Sequence, residues 1–142
     1  MKKQNDFFNL GEGFSPEHDQ LVFEAEAYFK KQFNVSKVSY EVPLIARNNF
    51  IVGYVDLLIE TTYKSKIDKC NYAGCSLVVE VKPTIGSFGA LLRQLNTYKL
   101  HLNRINKPEI CVYSNDTRFS AQLESQGYIQ YFKGKKLPKK KA

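Results

Sequence analysis

At 142 residues, with 43% hydrophobic and 25% charged side chains and no internal repeat, the chain has the composition of one soluble globular domain rather than a solenoid. No apolar run approaches the roughly 20 residues of a membrane helix, and Gln4-Asn5-Asp6 stands where a secretory leader needs an apolar stretch, so an intracellular (cytoplasmic), soluble protein with no membrane partner is expected. The net charge is +7, yet six lysines (Lys133, Lys135, Lys136, Lys139, Lys140, Lys141) fall in the last ten residues, and without them the charge is +1. The basic excess is therefore a tail, serving either non-specific phosphate affinity or solubility.

Residues 1–14 read as a loosely ordered lead-in. Ser15-Pro16-Glu17 starts a helix, with an N-cap serine, proline at the first helical position and an acid at the positive dipole end. It should run to about Phe33 on a stripe of Leu21, Val22, Ala25, Tyr28 and Phe29. Glu26 lies at the edge of that stripe, where it either faces an active site or reaches water. Val38, Tyr40, Val42 and Leu44 alternate with polar residues as a first strand, and Pro43 places it near a sheet edge or close to its own end. Asn48-Asn49 turns the chain into a second strand, Phe50 to Glu60, whose apolar run contains one acid, Asp56.

Thr61 to Cys75 is expected as a long loop in which Lys64, Lys66 and Lys69 interleave with Tyr63 and Tyr72. The third strand, Ser76 to Lys82, is apolar on both faces at its start and so should lie deep in the sheet. Glu80 and Lys82, two residues apart, share one of its faces. A buried carboxylate is costly unless it is paired or holds a metal. If these strands form an antiparallel hairpin with Glu60 opposite Ser76, Asp56 falls opposite Glu80. Like charges there repel, and a divalent cation between them would turn the repulsion into a binding site. Two acids and a lysine around a cation suit phosphodiester hydrolysis.

Pro83 to Gly89 is a breaker-rich loop before a helix to about Leu102, with Phe88, Leu91, Leu92, Leu95 and Leu102 as its stripe. Gln94 and Tyr98, four apart, share one flank and can touch. Glu109 to Tyr113 is a fourth strand. Ser114-Asn-Asp-Thr117 is expected to cap a short helix through Gln126, which Gly127 stops before a last strand, Tyr128 to Phe132. The order α-β-β-β-α-β-α-β makes an α/β fold with a central mixed sheet flanked by helices, as one domain over 1–132 with 133–142 as the basic tail. His18 and His101 have no partner motif and are expected at the surface. Cys70, Cys75 and Cys111, odd in number and without zinc spacing, read as reduced structural thiols.

The order of elements and the set Gly53-Tyr-Val-Asp56, Glu80-Val-Lys82 and Gln94-Leu-Asn-Thr-Tyr98 resemble the PD-(D/E)XK nuclease superfamily over about Ser15 to Tyr113. Within it, the similarity is to the RecB-like nucleases and the nuclease region of type I restriction subunits. The resemblance implies a restriction-endonuclease-like α-β-β-β-α-β core and a Mg²⁺-dependent deoxyribonuclease, with Mn²⁺ as a plausible substitute and DNA as the partner. Asp56 and Glu80 would supply carboxylate oxygens to the metal, with the Val81 backbone carbonyl as a further ligand. Lys82 would hold the attacking water or neutralise developing charge. Glu26 would sit near a second metal or orient a water, and Gln94 and Tyr98 would position the phosphate or buttress Lys82. The four cluster cysteines of some RecB-like nucleases have no counterpart, so no iron–sulfur cluster is expected. The same residues serve endonuclease and exonuclease action alike, on single- or double-stranded DNA, and leave a homo-oligomer open. The alternatives are a catalytically silent nuclease-fold module that binds nucleic acid or protein, and a structure-selective, junction-resolving endonuclease.

Overall fold

The computed structural model describes residues 15–132 and the backbone of 135–137; the expected lead-in and the remainder of the tail lie outside the described residues. In chain order the elements are α1 (Pro16–Gln32), β1 (Asn34–Ile45), β2 (Ile51–Lys64), β3 (Asn71–Lys82), α2 (Phe88–Lys99), β4 (Pro108–Ser114), α3 (Ser120–Ser125), β5 (Ile129–Phe132) and β6 (Lys135–Leu137). They form one six-stranded mixed sheet in the order β1-β2-β3-β4-β5-β6. The pairs β1–β2, β2–β3 and β5–β6 are antiparallel, while β3–β4 and β4–β5 are parallel. The α/β class and the flanking helices are as expected. The strand at 135–137 is an addition to the basic tail expected over 133–142. Among the described residues no helix is long and apolar enough to cross a membrane.

The sheet is sandwiched because both faces of its centre are apolar. On one face Leu21, Ala25 and Phe29 of α1 pack on Leu57, Ile59, Leu77, Val79 and Val81. On the other, Leu91, Leu95 and Tyr98 of α2, with Leu123 of α3, pack on Leu58, Val78 and Val112. Between these layers β3 is buried without a break from Ser76 to Val81. Ser15 caps α1 as its sequence dictates, its Oγ accepting the His18 N–H at 2.9 Å.

Two local expectations are corrected. The loop from Thr61 to Cys75 is mostly strand: β2 and β3 run on as a hairpin, closed by a turn in which the Ser65 N–H donates to the Cys70 carbonyl at 2.9 Å. A register shift follows Glu60, and there the Thr61 hydroxyl donates to the Cys75 carbonyl at 2.8 Å. Gly74 makes this possible, since a Cβ there would meet Thr61 Oγ1 at 2.6 Å. Beyond the shift Tyr63 and Tyr72 pair directly across the strands, ring centroids 5.8 Å apart, and extend the ladder.

The second correction concerns 114–117, which do not cap α3; its N-cap is Phe119, with no side-chain cap. Asp116 instead grips the loop after β3. Its Oδ2 accepts the Ile85 N–H at 2.9 Å, while Arg118 bonds both Asp116 oxygens and the Ile85 carbonyl. The Arg118 guanidinium holds the Asp116 carboxyl well below the usual carboxylate range. A carboxyl more acidic folded than unfolded stabilises at neutral pH, and its contribution fades as pH falls below about 4, the unfolded value. Asp116→Asn should therefore cost about 1–2 kcal/mol at pH 7, the solvent-screened worth of a charged hydrogen bond. Melting curves of both proteins should converge as the pH is lowered below that value.

Candidate active site

The hairpin register anticipated from the sequence is present: Glu60 faces Ser76 and Leu57 faces Val79, so the next pair is Asp56 and Glu80. The ladder stops at Leu57–Val79, and a side chain takes over there. Asp56 Oδ2 accepts the Val81 N–H at 2.8 Å, which fixes the carboxylate at the point where β2 and β3 part.

Glu80 is 3% exposed and is held from α2. The Tyr98 hydroxyl lies 2.8 Å from Glu80 Oε1 and 2.8 Å from the Tyr54 carbonyl, and shares its one proton between them. It accepts from Gln94 Nε2 at 2.8 Å, the contact expected from their spacing. The Tyr98 ring packs beside Gly53, where a Cβ would meet Tyr98 Cε1 at 3.4 Å, an ordinary van der Waals contact. The glycine of Gly53-Tyr-Val-Asp56 and the tyrosine of Gln94-Leu-Asn-Thr-Tyr98 are thus two halves of one packing contact. Burial, and then the charges of Glu80 and Asp56, push the Tyr98 phenol well above its ordinary value, so it stays a donor.

Lys82 Nζ lies 3.6 Å from Glu80 Oε2, with the ammonium side chain only 12% exposed. His18, on the first turn of α1, places Nε2 3.4 Å from Asp56 Oδ1. Burial would lower the imidazole pKa, but Asp56 and then Asp19 together outweigh it and the net shift is upward. His18 Nδ1 is buried without a hydrogen-bond partner among the described residues. A cleft of about 560 Å³ opens between the N-terminal turns of α1 and α2, lined by His18, Val81, Lys82, Ser87 and Gln94. Its size suits a ligand site.

Asp56, Glu80, Lys82, Gln94 and Tyr98 are therefore brought together, while Glu26 is not. Its carboxylate is bound to Lys30 Nζ at 2.8 Å and accepts from the Tyr40 hydroxyl of β1. Partial burial would raise its pKa, but Lys30 and Tyr40 outweigh that and the net shift is downward. Two helical turns separate Glu26 from His18, the α1 residue that does reach Asp56. The surface expectation for His18 fails because it shares the stripe of Leu21, Ala25 and Phe29, all buried with it. That spacing, i, i+3, i+7 and i+11, is the signal in the sequence that points to it. Val81 contributes its N–H to Asp56.

The donor set fits a hard or borderline divalent cation: two carboxylates from adjacent strand positions, with an imidazole against one of them. Among the described residues no three His, Cys, Asp or Glu side chains already encircle a point. A cation here would thus be held chiefly by Asp56 and Glu80 and keep several waters, as Mg²⁺ does. No family model, curated protein or solved structure matches the chain.

Proposed function

We propose that this protein is a metal-dependent deoxyribonuclease of the PD-(D/E)XK type, hydrolysing DNA phosphodiester bonds in the cleft between α1 and α2. The observation that carries this reading is that Asp56 and Glu80 stand at the next register position, where β2 and β3 part, with Lys82 against one carboxylate and His18 against the other. Asp56 and Glu80 would hold Mg²⁺ or Mn²⁺, with His18 Nε2 and the Val81 carbonyl as further ligands. A bound cation supplies charge stabilisation on the phosphate oxygens and a more acidic water.

The remaining work falls to the chain itself. The Val81 N–H and the Tyr98 hydroxyl fix the two carboxylates before substrate arrives, so little reorganisation is left for the reaction. Lys82 sits at the cleft wall, where its ammonium can hold the attacking water or offset charge on phosphorus-bound oxygens. Gln94, which lines the cleft and bonds Tyr98, is a positioning residue for Glu80 that also offers an amide to the phosphate.

One observation favours the rival reading, a nuclease-like module that binds without cutting. Each carboxylate oxygen already has a protein partner: His18 and Val81 for Asp56, Tyr98 and Lys82 for Glu80. Incubation with linear, nicked, single-stranded and four-way DNA separates the cases, run with Mg²⁺ or Mn²⁺ and again with chelator. The nuclease reading expects metal-dependent cleavage that chelator stops. Cleavage of the four-way form alone would make the enzyme structure-selective, and intact DNA in every lane would leave the binding module.

A further inference from the structure

A second cleft, of about 530 Å³, lies between the β1–β2 turn and the segment that follows α2. One wall carries Arg47 and Asn48, the other His101, Asn103 and Arg104, and among the described residues no carboxylate lines it. Neither Arg47 nor Arg104 is paired with an acid among the described residues, in contrast to Arg118, which is spent on Asp116. Both are exposed. In a chain whose first 132 residues carry only +1, two guanidinium side chains without an acid partner lining one cleft concentrate positive potential.

The cleft is tied to the acid pair on both sides. His101 donates its N–H to the Tyr98 carbonyl at 2.8 Å, so it follows by one tight turn the residue whose hydroxyl touches Glu80. That is about 5 Å along the helix axis. On the other wall, Leu44 and Ile45 lead into the turn, and Leu44 pairs with Gly53, the residue beneath the Tyr98 ring. The turn is fixed by hydrogen bonds from Ala46 N–H to Phe50 O and from Asn49 N–H to Ala46 O, each 2.8 Å.

We propose that this cleft binds the sugar–phosphate backbone of the polynucleotide whose scissile phosphate lies at Asp56 and Glu80, a few nucleotides from the cut. It rests on the nuclease reading for the identity of the strand. Guanidinium forks match phosphate oxygens bidentately, and the Asn and His side chains add donors of the kind that contact phosphates. Arginines on opposite, exposed walls straddle a strand, whereas a free phosphate is held by donors that enclose it.

The test measures binding of a fluorescein-labelled 20-mer, single-stranded and duplex, by anisotropy in EDTA over about 50–200 mM salt. Each phosphate contact contributes about −0.9 to the slope of log K against log salt for duplex. Arg47→Gln/Arg104→Gln should weaken binding at least tenfold and make the slope shallower by about 2. Arg47→Lys/Arg104→Lys, which keeps the charge, should keep the wild-type slope and recover part of the affinity. In cleavage assays the Gln variant should raise KM more than it lowers kcat, and circular dichroism confirms its fold. Wild-type affinity and slope in the Gln variant, with cleavage intact, overturns the inference and leaves the nuclease reading standing. No cleavage by any protein, with the slope still differing between wild type and the Gln variant, does the reverse. Calorimetric binding of inorganic phosphate at this cleft, with no strand binding, would assign it to a free anion and also overturn the inference.

Discussion

Glu80→Gln should lower the rate of DNA cleavage about 10³-fold, a loss of about 4 kcal/mol of transition-state stabilisation, with the fold intact. The glutamine oxygen can still accept from the Tyr98 hydroxyl, so the buried contact to α2 is kept. What disappears is the negative charge that faces Lys82 across 3.6 Å and, on the proposed reading, would draw a cation to the site. Single-turnover cleavage with Mg²⁺, beside a far-UV dichroism spectrum of each protein, measures both halves of the claim. Cleavage by Glu80→Gln within threefold of wild type would remove Glu80 from the chemistry.

Saturating Mg²⁺ should raise the melting temperature of the wild-type protein. At a hundred times Kd, binding to the native state alone adds about 2.7 kcal/mol. For a domain of this size that is on the order of 10 °C. Asp56→Asn should lose most of this shift. The sequence alone predicts that Asp56→Asn without metal stabilises the fold, or at least does not harm it, by relieving repulsion from Glu80. The hydrogen bond from Val81 and the approach of His18 alter that balance. An asparagine oxygen keeps the Val81 bond but not the charge facing the imidazole, so the metal-free melting point should stay within a few degrees of wild type. Scanning calorimetry with and without metal reads both effects. A large metal-free destabilisation would make Asp56 a structural partner of His18 first.

The parts of the site legible in the sequence are those governed by short-range periodicity. Period two on β2 and β3, anchored at Glu60 and Ser76, was enough to place Asp56 beside Glu80, and period four on α2 was enough to join Gln94 to Tyr98. Glu80 and Lys82 meet for the same reason, two residues apart on one strand. What escaped depends on how whole elements are laid against each other. His18 reaches Asp56 only because the first turn of α1 lies over the mouth of the hairpin. Glu26, at the flank of the same helix, is turned towards Tyr40 of β1. The hairpin beyond Glu60 was hidden by its irregular register, where Thr61 and Gly74 break the alternation that marks a strand. Asp116 was misread because a short polar run before a helix resembles a cap, while its partners, Ile85 and Arg118, come from a distant loop and the following turn.

The roles of Gly53 and Tyr98 became readable only in combination. The glycine has no conformational demand of its own; the Tyr98 ring packs beside it, and the ring's hydroxyl reaches Tyr54 and Glu80. Motif spacing points to both residues, and packing supplies the reason they belong together.

Electron paramagnetic resonance of Mn²⁺ titrated into metal-free protein, in the absence of DNA, tests the proposed cation site most directly. The wild-type chain should remove the free-ion signal with one saturable site, and Asp56→Asn and Glu80→Gln should each leave that signal largely in solution. Equal Mn²⁺ uptake by all three proteins, or none by the wild type, would contradict the assignment of these two carboxylates as the metal-binding centre.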